Sequence, residues 1–210
     1  MSVNMPAAVN SGDRLIAWVS VRNAGTWSTV PSGWLEKGAQ TGGGGGVGRL
    51  TVFEKFAAGT EAGTTPQWIH STGTTAAWQV MRVTGAHASS ALEMTTASGD
   101  SSAANSPSLT PSWGAEENLY LSVAGHAAIS AAAFTAAPTS YTGFVNNGAS
   151  SGGSAVSVAS ASQALTASPE DPGAFTAGGS NRFWAAATIA IRPAAGGPPP
   201  TVNSNFLGMM

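Results

Sequence analysis

The sequence predicts an all-β fold, an antiparallel β-sandwich. Three observations point to it. Apolar residues recur with period two over most of the chain. The runs that carry this pattern are bounded by Gly, Pro, Asn and Ser, the residues that end strands. No long segment carries a 3.6-residue period with helix caps.

The elements follow in order. In "DRLIAWVSVR", Leu15, Ala17, Val19 and Val21 share one face, and Ile16, Trp18, Ser20 and Arg22 the other. "RLTVFEKFA" sets Leu50, Val52, Glu54 and Phe56 opposite Thr51, Phe53 and Lys55. "AAWQVMRVTG" sets Trp78, Val80 and Arg82 against Gln79, Met81 and Val83. "NLYLSVAGH" aligns Leu119, Leu121 and Val123, and "RFWAAATIAIRP" aligns Phe183, Ala185, Ala187, Ile189 and Ile191. Leu15, Val19, Val52, Val80, Leu121, Phe183 and Ile189 are expected in the core. "HAAISAAAFTAA" is Ala-rich but poorly capped and reads as strand or loop. "QTGGGGGVGR", "ASGDSSAANSPSLTPS" and "NNGASSGGSAVSVASASQ" read as loops at the ends of the sandwich.

An internal repeat underlies these elements. Leu15 and Leu119 are 104 residues apart, Trp34 and Tyr141 107, and Trp78 and Trp184 106. Two related halves fit two Greek keys folded into one sandwich of jelly-roll type. Pro193 to Pro200 cannot join a central ladder. The expected organisation is therefore a sandwich over residues 1–193 and a Pro/Gly linker with an apolar C-terminal tail over 194–210.

Composition narrows the functions. Of 210 residues, 9% are charged, the net charge is −2 and there is no cysteine. An ordinary soluble domain is ~25% charged. Without a basic cluster, a nucleic-acid partner is not expected. Without cysteine there is no disulfide framework and no thiolate metal site. No apolar run reaches ~18 residues, so no membrane span is expected, and the N-terminus lacks a signal-peptide pattern.

Motifs for chemistry are weak. The polyglycine run lacks the Gly-Lys-Ser/Thr of a phosphate loop and leads straight into a strand. His70, His87 and His126 have no helical metal-pair spacing. "GASSGG" only loosely resembles a nucleophile elbow. Glu54, within an apolar strand face, reads as a partner of Lys55 or Arg49 at the sheet rim, or as turned to a partner protein. A glycosidase would need a second acid 5–10 Å away. "EDPG", Glu170 to Gly173, reads as a type I turn before a calcium ligand. Trp27, Trp34, Trp68 and Trp113 plug sandwich ends or anchor interfaces in the favoured reading; Trp27 and Trp113 are the candidates for stacking on a glycan. No catalytic residue, cofactor or metal is expected.

The order "PAAVNSGDRLIAWVSVRN", "VPSGWLEKG", "LTVFEKFAAGTEAGT", "WQVMRVTG", "PTSYTGF", "WAAATIAIRP" resembles a family of jelly-roll domains in virion proteins of tailed bacteriophages. The resemblance spans nearly residues 1 to 193 and rests on the order of short motifs. It implies that Gly12, Asp13, Pro31, Gly33, Trp34, Lys55 and Pro193 are framework positions. Two departures are the start of the chain close to its first strand, with no N-terminal arm, and the Pro-linked tail. The resemblance implies a non-enzymatic virion protein on head or tail, homo-oligomeric and held by other virion proteins. The alternative is a receptor- or glycan-binding module of a tail fibre. In the tail, Phe206, Leu207, Met209 and Met210 are the expected partner-binding residues. The prolines are expected to hold this tip clear of its own sandwich.

Overall fold

The computed structural model describes all residues except 43–46, 73–74, 102, 129–133, 152–153, 179–182 and 210; the side chains of 47, 128, 151, 154 and 204–209 also lie outside the description. The described residues form strands, turns and loops, with no helix among them. Fifteen strands are formed: β1 Ser11–Asn23, β2 Trp27–Thr29, β3 Leu35–Thr41, β4 Val47–Ala58, β5 Ile69–His70, β6 Ala76–Thr84, β7 Glu93–Gly99, β8 Ala103–Ser106, β9 Glu117–Ala128, β10 Phe134–Ala136, β11 Thr142–Ser151, β12 Ser154–Thr166, β13 Gly173–Ala177, β14 Phe183–Ile191 and β15 Thr201–Met209.

Two five-stranded antiparallel sheets face each other. The first has the order β15-β6-β1-β4-β3 and the second β11-β12-β9-β14-β7. Their inner faces bury Ile16, Trp18, Leu50, Val52, Met81, Leu121, Val123, Val156, Val158 and Ile189. Each side chain of this kind contributes roughly 1.5–3 kcal/mol on burial.

The outer faces are covered too. On the first sheet, Leu15, Val19, Phe53 and Val80 pack under Val3, Met5 and Trp68. The covering chain is fixed by bonds from Val3 N to Pro66 O (3.0 Å) and Met5 N to Thr64 O (2.9 Å). On the second sheet, Tyr120, Ala124 and Ala186 pack under Phe134 and Phe175 of the small sheet β10-β13-β8. Both faces of the central strands are therefore buried. Of the expected core, Leu15, Val19, Val52, Val80, Leu121 and Ile189 are buried, while Phe183 is half-buried.

The two halves of the chain are related strand by strand. In β1, Val19 stands between Thr51 of β4 and Trp78 of β6. In β9, His126 stands between Ser157 of β12 and Trp184 of β14. The turn before β3 closes with Trp34 N to Pro31 O (3.1 Å), and the turn before β11 with Tyr141 N to Pro138 O (3.2 Å). Gly33 and Ser140, at the same place in these turns, both have positive φ (80° and 71°). The pairs Trp34/Tyr141 and Trp78/Trp184 are thus equivalent in space. Leu15/Leu119 is not. Leu15 faces the outer layer and Leu119 the inter-sheet core. The register makes Ser122 the counterpart of Leu15: Lys55 and Arg82 flank Leu15, while Ala161 and Thr188 flank Ser122.

Each half builds one sheet but sends its last strand to the other. After β6 the chain crosses to place β7 beside β14; after β14 it crosses back to place β15 beside β6. The crossings meet in an antiparallel bridge between Ala86 and Pro193. His87 N donates to Arg192 O and Ala194 N to Gly85 O, each at 2.9 Å.

Three expectations change. "ASGDSSAANSPSLTPS", expected as a loop, holds the end of β7 and the whole of β8, which pairs with β13 in the outer layer of the second sheet. "NNGASSGGSAVSVASASQ" forms most of the β11–β12 hairpin; Val156 and Val158 enter the inter-sheet core while Ala159 and Ala161 face the outer layer. Small residues suit a strand closely packed on both faces. The segment 194–209 does not stand clear of the sandwich, and Met210 lies outside the described residues. From Thr201 to Met209 its backbone pairs antiparallel with β6 over the partners Thr201/Thr84 to Met209/Ala77. The unpaired edge of β6, otherwise exposed, explains why the chain returns there.

Candidate interaction surface

The tail is held through its backbone, starting at Thr201, with a register shift between Val202 and Ser204. Asn203 Nδ2 adds bonds to Thr84 Oγ1 (2.6 Å) and to Thr201 O (2.9 Å). Phe206, Leu207 and Met209 therefore belong to an edge strand, β15, whose outer side presents alternate N–H and C=O groups. Their side chains, and Met210 altogether, lie outside the described residues.

The two crossing linkers are anchored unequally. Arg14 and Glu54 form an ion pair on the inner face, and their side chains are 2% and 1% exposed. Arg14 also donates through Nη2 to His87 O (2.6 Å) and Ser90 O (2.9 Å), and Leu92 N donates to Glu54 Oε1 (2.9 Å). Its guanidinium lies 3.4 Å from the centroid of the Phe56 ring. Lys37 Nζ approaches Glu54 Oε2 at 3.5 Å. Burial pulls the Arg14 pKa down, and the charge and hydrogen bond of Glu54 act against it. This node pins the linker that leads to β7. Glu54 thus pairs with Arg14 across the β1–β4 ladder, and not with Lys55 or Arg49. Lys55 pairs with Glu61 (3.1 Å) and Arg49 with Glu36 (3.0 Å).

In the second half the register counterparts of Arg14 and Glu54 are Leu121 and Ser160, so the node is not repeated. Past Ala194 the second linker bonds locally: Gly197 N donates to Ala194 O (2.8 Å) and Thr201 Oγ1 to Pro199 O (3.5 Å). Gly196 has φ +68° and open space where a Cβ would stand. Pro200 is buried, beside Gly85.

The positions singled out by motif order carry framework contacts. Asp13 accepts from Arg82 Nε (2.6 Å) and from Asn10 N (2.7 Å), beside the irregularity in β1 at Gly12. Pro31 and Trp34 close the turn before β3. Gly33 would place a Cβ 3.2 Å from Lys55 Nζ, which donates to Ser32 O (3.2 Å). Pro193 makes the bridge to Ala86.

Trp27 and Trp113 are not brought together. Trp27 belongs to the outer layer of the first sheet, donates to Thr51 Oγ1 (3.0 Å) and meets Phe53 edge-on at 5.6 Å. Trp113 packs on the outer layer of the second sheet and donates to Asn118 Oδ1 (2.8 Å). Both are half-buried. Trp34 and Trp68 are buried edge-to-face at 5.2 Å.

No group of three or more His, Asp or Glu able to hold a metal occurs among the described residues. "EDPG" does not form the expected turn: Glu170 is bridged antiparallel to Leu109 and the chain runs on into β13 at Gly173, while Glu170 Oε1 accepts from the Tyr141 hydroxyl (3.2 Å). Burial, with the Glu170 charge, pushes the Tyr141 phenol up. A depression of about 200 Å³ is lined by Glu117, Ala164, Leu165, Thr166 and Pro199, with one carboxylate among them. The ion pairs Arg82–Asp13 and Arg192–Glu116 complete a set that engages Arg14, Lys37, Arg49, Lys55, Arg82 and Arg192. Sequence periodicity did not reveal the Arg14–Glu54 node, because the partners are 40 residues apart and meet only once β1 and β4 are in register. No family model, curated protein or solved structure matches the chain.

Proposed function

We propose that the protein is a non-enzymatic structural component of a tailed-bacteriophage virion, decorating head or tail and held by protein–protein contacts that include residues 201–209. The observation that carries this reading is the use of charge. Among the described residues, Arg14, Lys37, Arg49, Lys55, Arg82 and Arg192 are engaged in ion pairs within the fold, and the remaining polarity is mostly Ser, Thr and Asn. Packing copies side by side through these cations then desolvates charges already matched to a counter-charge. The order of short motifs supports the same family, and its jelly-roll component rests on that order. The chain changes sheet at the two exchanged strands, and β15 leaves an edge to which a neighbour can add by β-augmentation.

The test is quantitative mass spectrometry of purified particles of the phage that encodes the chain. The reading expects the protein at a fixed copy number per particle, with no hydrolysis of host-surface polysaccharide by the purified protein. Its absence from particles, or polysaccharide hydrolysis, contradicts the reading.

A further inference from the structure

We propose that β15 is an exchangeable strand: residues 201–209 of one copy pair with β6 of a second copy of this chain, in the register they adopt in their own. The proposal rests on the structural reading above only in treating 201–209 as a contact segment, and it names the partner of that segment.

The fold itself supplies the precedent. Each sheet is completed by a strand from the other half of the chain, so the edges beside β6 and β14 are both built to accept a strand that arrives by a crossing linker. The linkers are equivalent in position and unequal in attachment. The one before β7 is pinned at His87, Ser90 and Leu92 by the buried Arg14–Glu54 pair. The one before β15 has Leu121 and Ser160 at the corresponding places, and neither can supply such a clamp.

The second linker also has the composition of a hinge. Gly196 holds a left-handed φ of +68° with nothing near its Cβ direction, so its backbone can be re-aimed without steric cost. Pro198, Pro199 and Pro200 follow as a stiff rod of ~9 Å. Turning at Gly196–Gly197 carries the rod and strand together. A strand received from a second copy makes the same backbone bonds as the copy's own, so exchange changes neither sheet's hydrogen-bond inventory. The balance is then set by the effective concentration of the strand through its linker against the concentration of other copies.

The experiment uses the full chain and the fact that it has no cysteine. Thr84 and Thr201 are paired across β6 and β15. The double variant T84C/T201C is concentrated, gently warmed, cooled and separated by size exclusion, then oxidised. The expected result is a dimer fraction that runs as a covalent dimer without reductant and as a monomer with it, while the monomer fraction closes its disulfide within one chain. Deleting Gly196 and Gly197 shortens the hinge and is expected to raise the dimer fraction by about tenfold; inserting four Gly/Ser residues after Gly197 is expected to lower it. The hinge variants leave both sheets untouched, so they read exchange even if the cysteine pair perturbs folding. Absence of any dimer at all concentrations overturns the proposal. So does a dimer whose disulfides close only within chains, or a dimer fraction indifferent to hinge length. A fixed copy number in particles with no exchange would leave the virion reading standing and remove this one.

Discussion

Ala86 and Pro193 bridge one another, although they occupy the same place in the two halves of the chain. The bonds beside them, His87 N to Arg192 O and Ala194 N to Gly85 O, are images of each other. A local two-fold axis therefore passes through the bridge, and the two crossing linkers run past each other on it. The fold is a dimer-like assembly within one chain, with its last strands reciprocally exchanged.

The buried Arg14–Glu54 pair predicts a large asymmetry between single and double substitutions. Glu54→Gln leaves a buried guanidinium without its counter-charge and is expected to cost about 3–5 kcal/mol. Arg14→Met with Glu54→Leu removes both charges and is expected to cost clearly less. Urea unfolding of the three proteins checks this; equal losses for the single and the double variant would contradict it.

Gly33 and Ser140 predict opposite responses at equivalent positions. Gly33→Ala forces a Cβ into a left-handed residue and is expected to cost about 1–2 kcal/mol. Ser140→Gly relieves the same conformation and is expected to raise stability by about 0.5–1 kcal/mol, after the entropy that glycine adds to the unfolded chain. Thermal unfolding by circular dichroism measures both signs.

Glu61 predicts a loss of stability in acid. Burial alone would raise its pKa, but the hydrogen bonds from the backbone amide of Ala58 (3.1 Å) and from Glu61's own backbone, with the Lys55 ammonium, outweigh it, and the net shift is downward from 4.5. A carboxylate with a depressed folded pKa contributes stability that is present above 4.5 and is lost as pH falls through the folded value. Glu61→Gln is expected to lower the urea midpoint at neutral pH and to flatten its fall below about pH 4.5. An unchanged acid slope would show that Glu61 carries none of it.

Trp27 and Trp113 are expected to act on stability and not on sugar binding. Trp113→Phe removes the bond to Asn118 Oδ1 and is expected to cost about 1–3 kcal/mol, since that oxygen belongs to a fully buried side chain. On glycan arrays the wild-type protein is expected to bind weakly or not at all. Specific binding lost on Trp27→Ala or Trp113→Ala would favour the fibre-module alternative.

Much of the sandwich was legible because β1, β4, β6, β9 and β14 carry apolar residues in strong alternation. Which face turned inward was not. Leu15 and Val19 face an outer layer, whereas Val52 and Ile189 face the other sheet, and burial on both sides erases the contrast that alternation normally supplies. For the same reason the repeat was read three residues out of phase at Leu15 and Leu119: side-chain direction reverses at each step along a strand, so an odd shift swaps the faces. β12 was hidden by its Ser and Ala residues, which suit a crowded strand as well as a loop. The tail was misplaced because its prolines describe the linker correctly and say nothing of the open edge at β6. That edge exists only once β1 and β6 are paired.

The most direct test of the account is amide hydrogen exchange, read by mass spectrometry on dilute, monomeric full-length protein. The account predicts that alternate amides of residues 201–209 and the facing amides of β6 exchange slowly, and that deleting 201–209 releases protection along β6. Complete exchange of 201–209 within seconds, with β6 unaffected by the deletion, would show a tail that hangs free and would contradict the strand-exchanged fold.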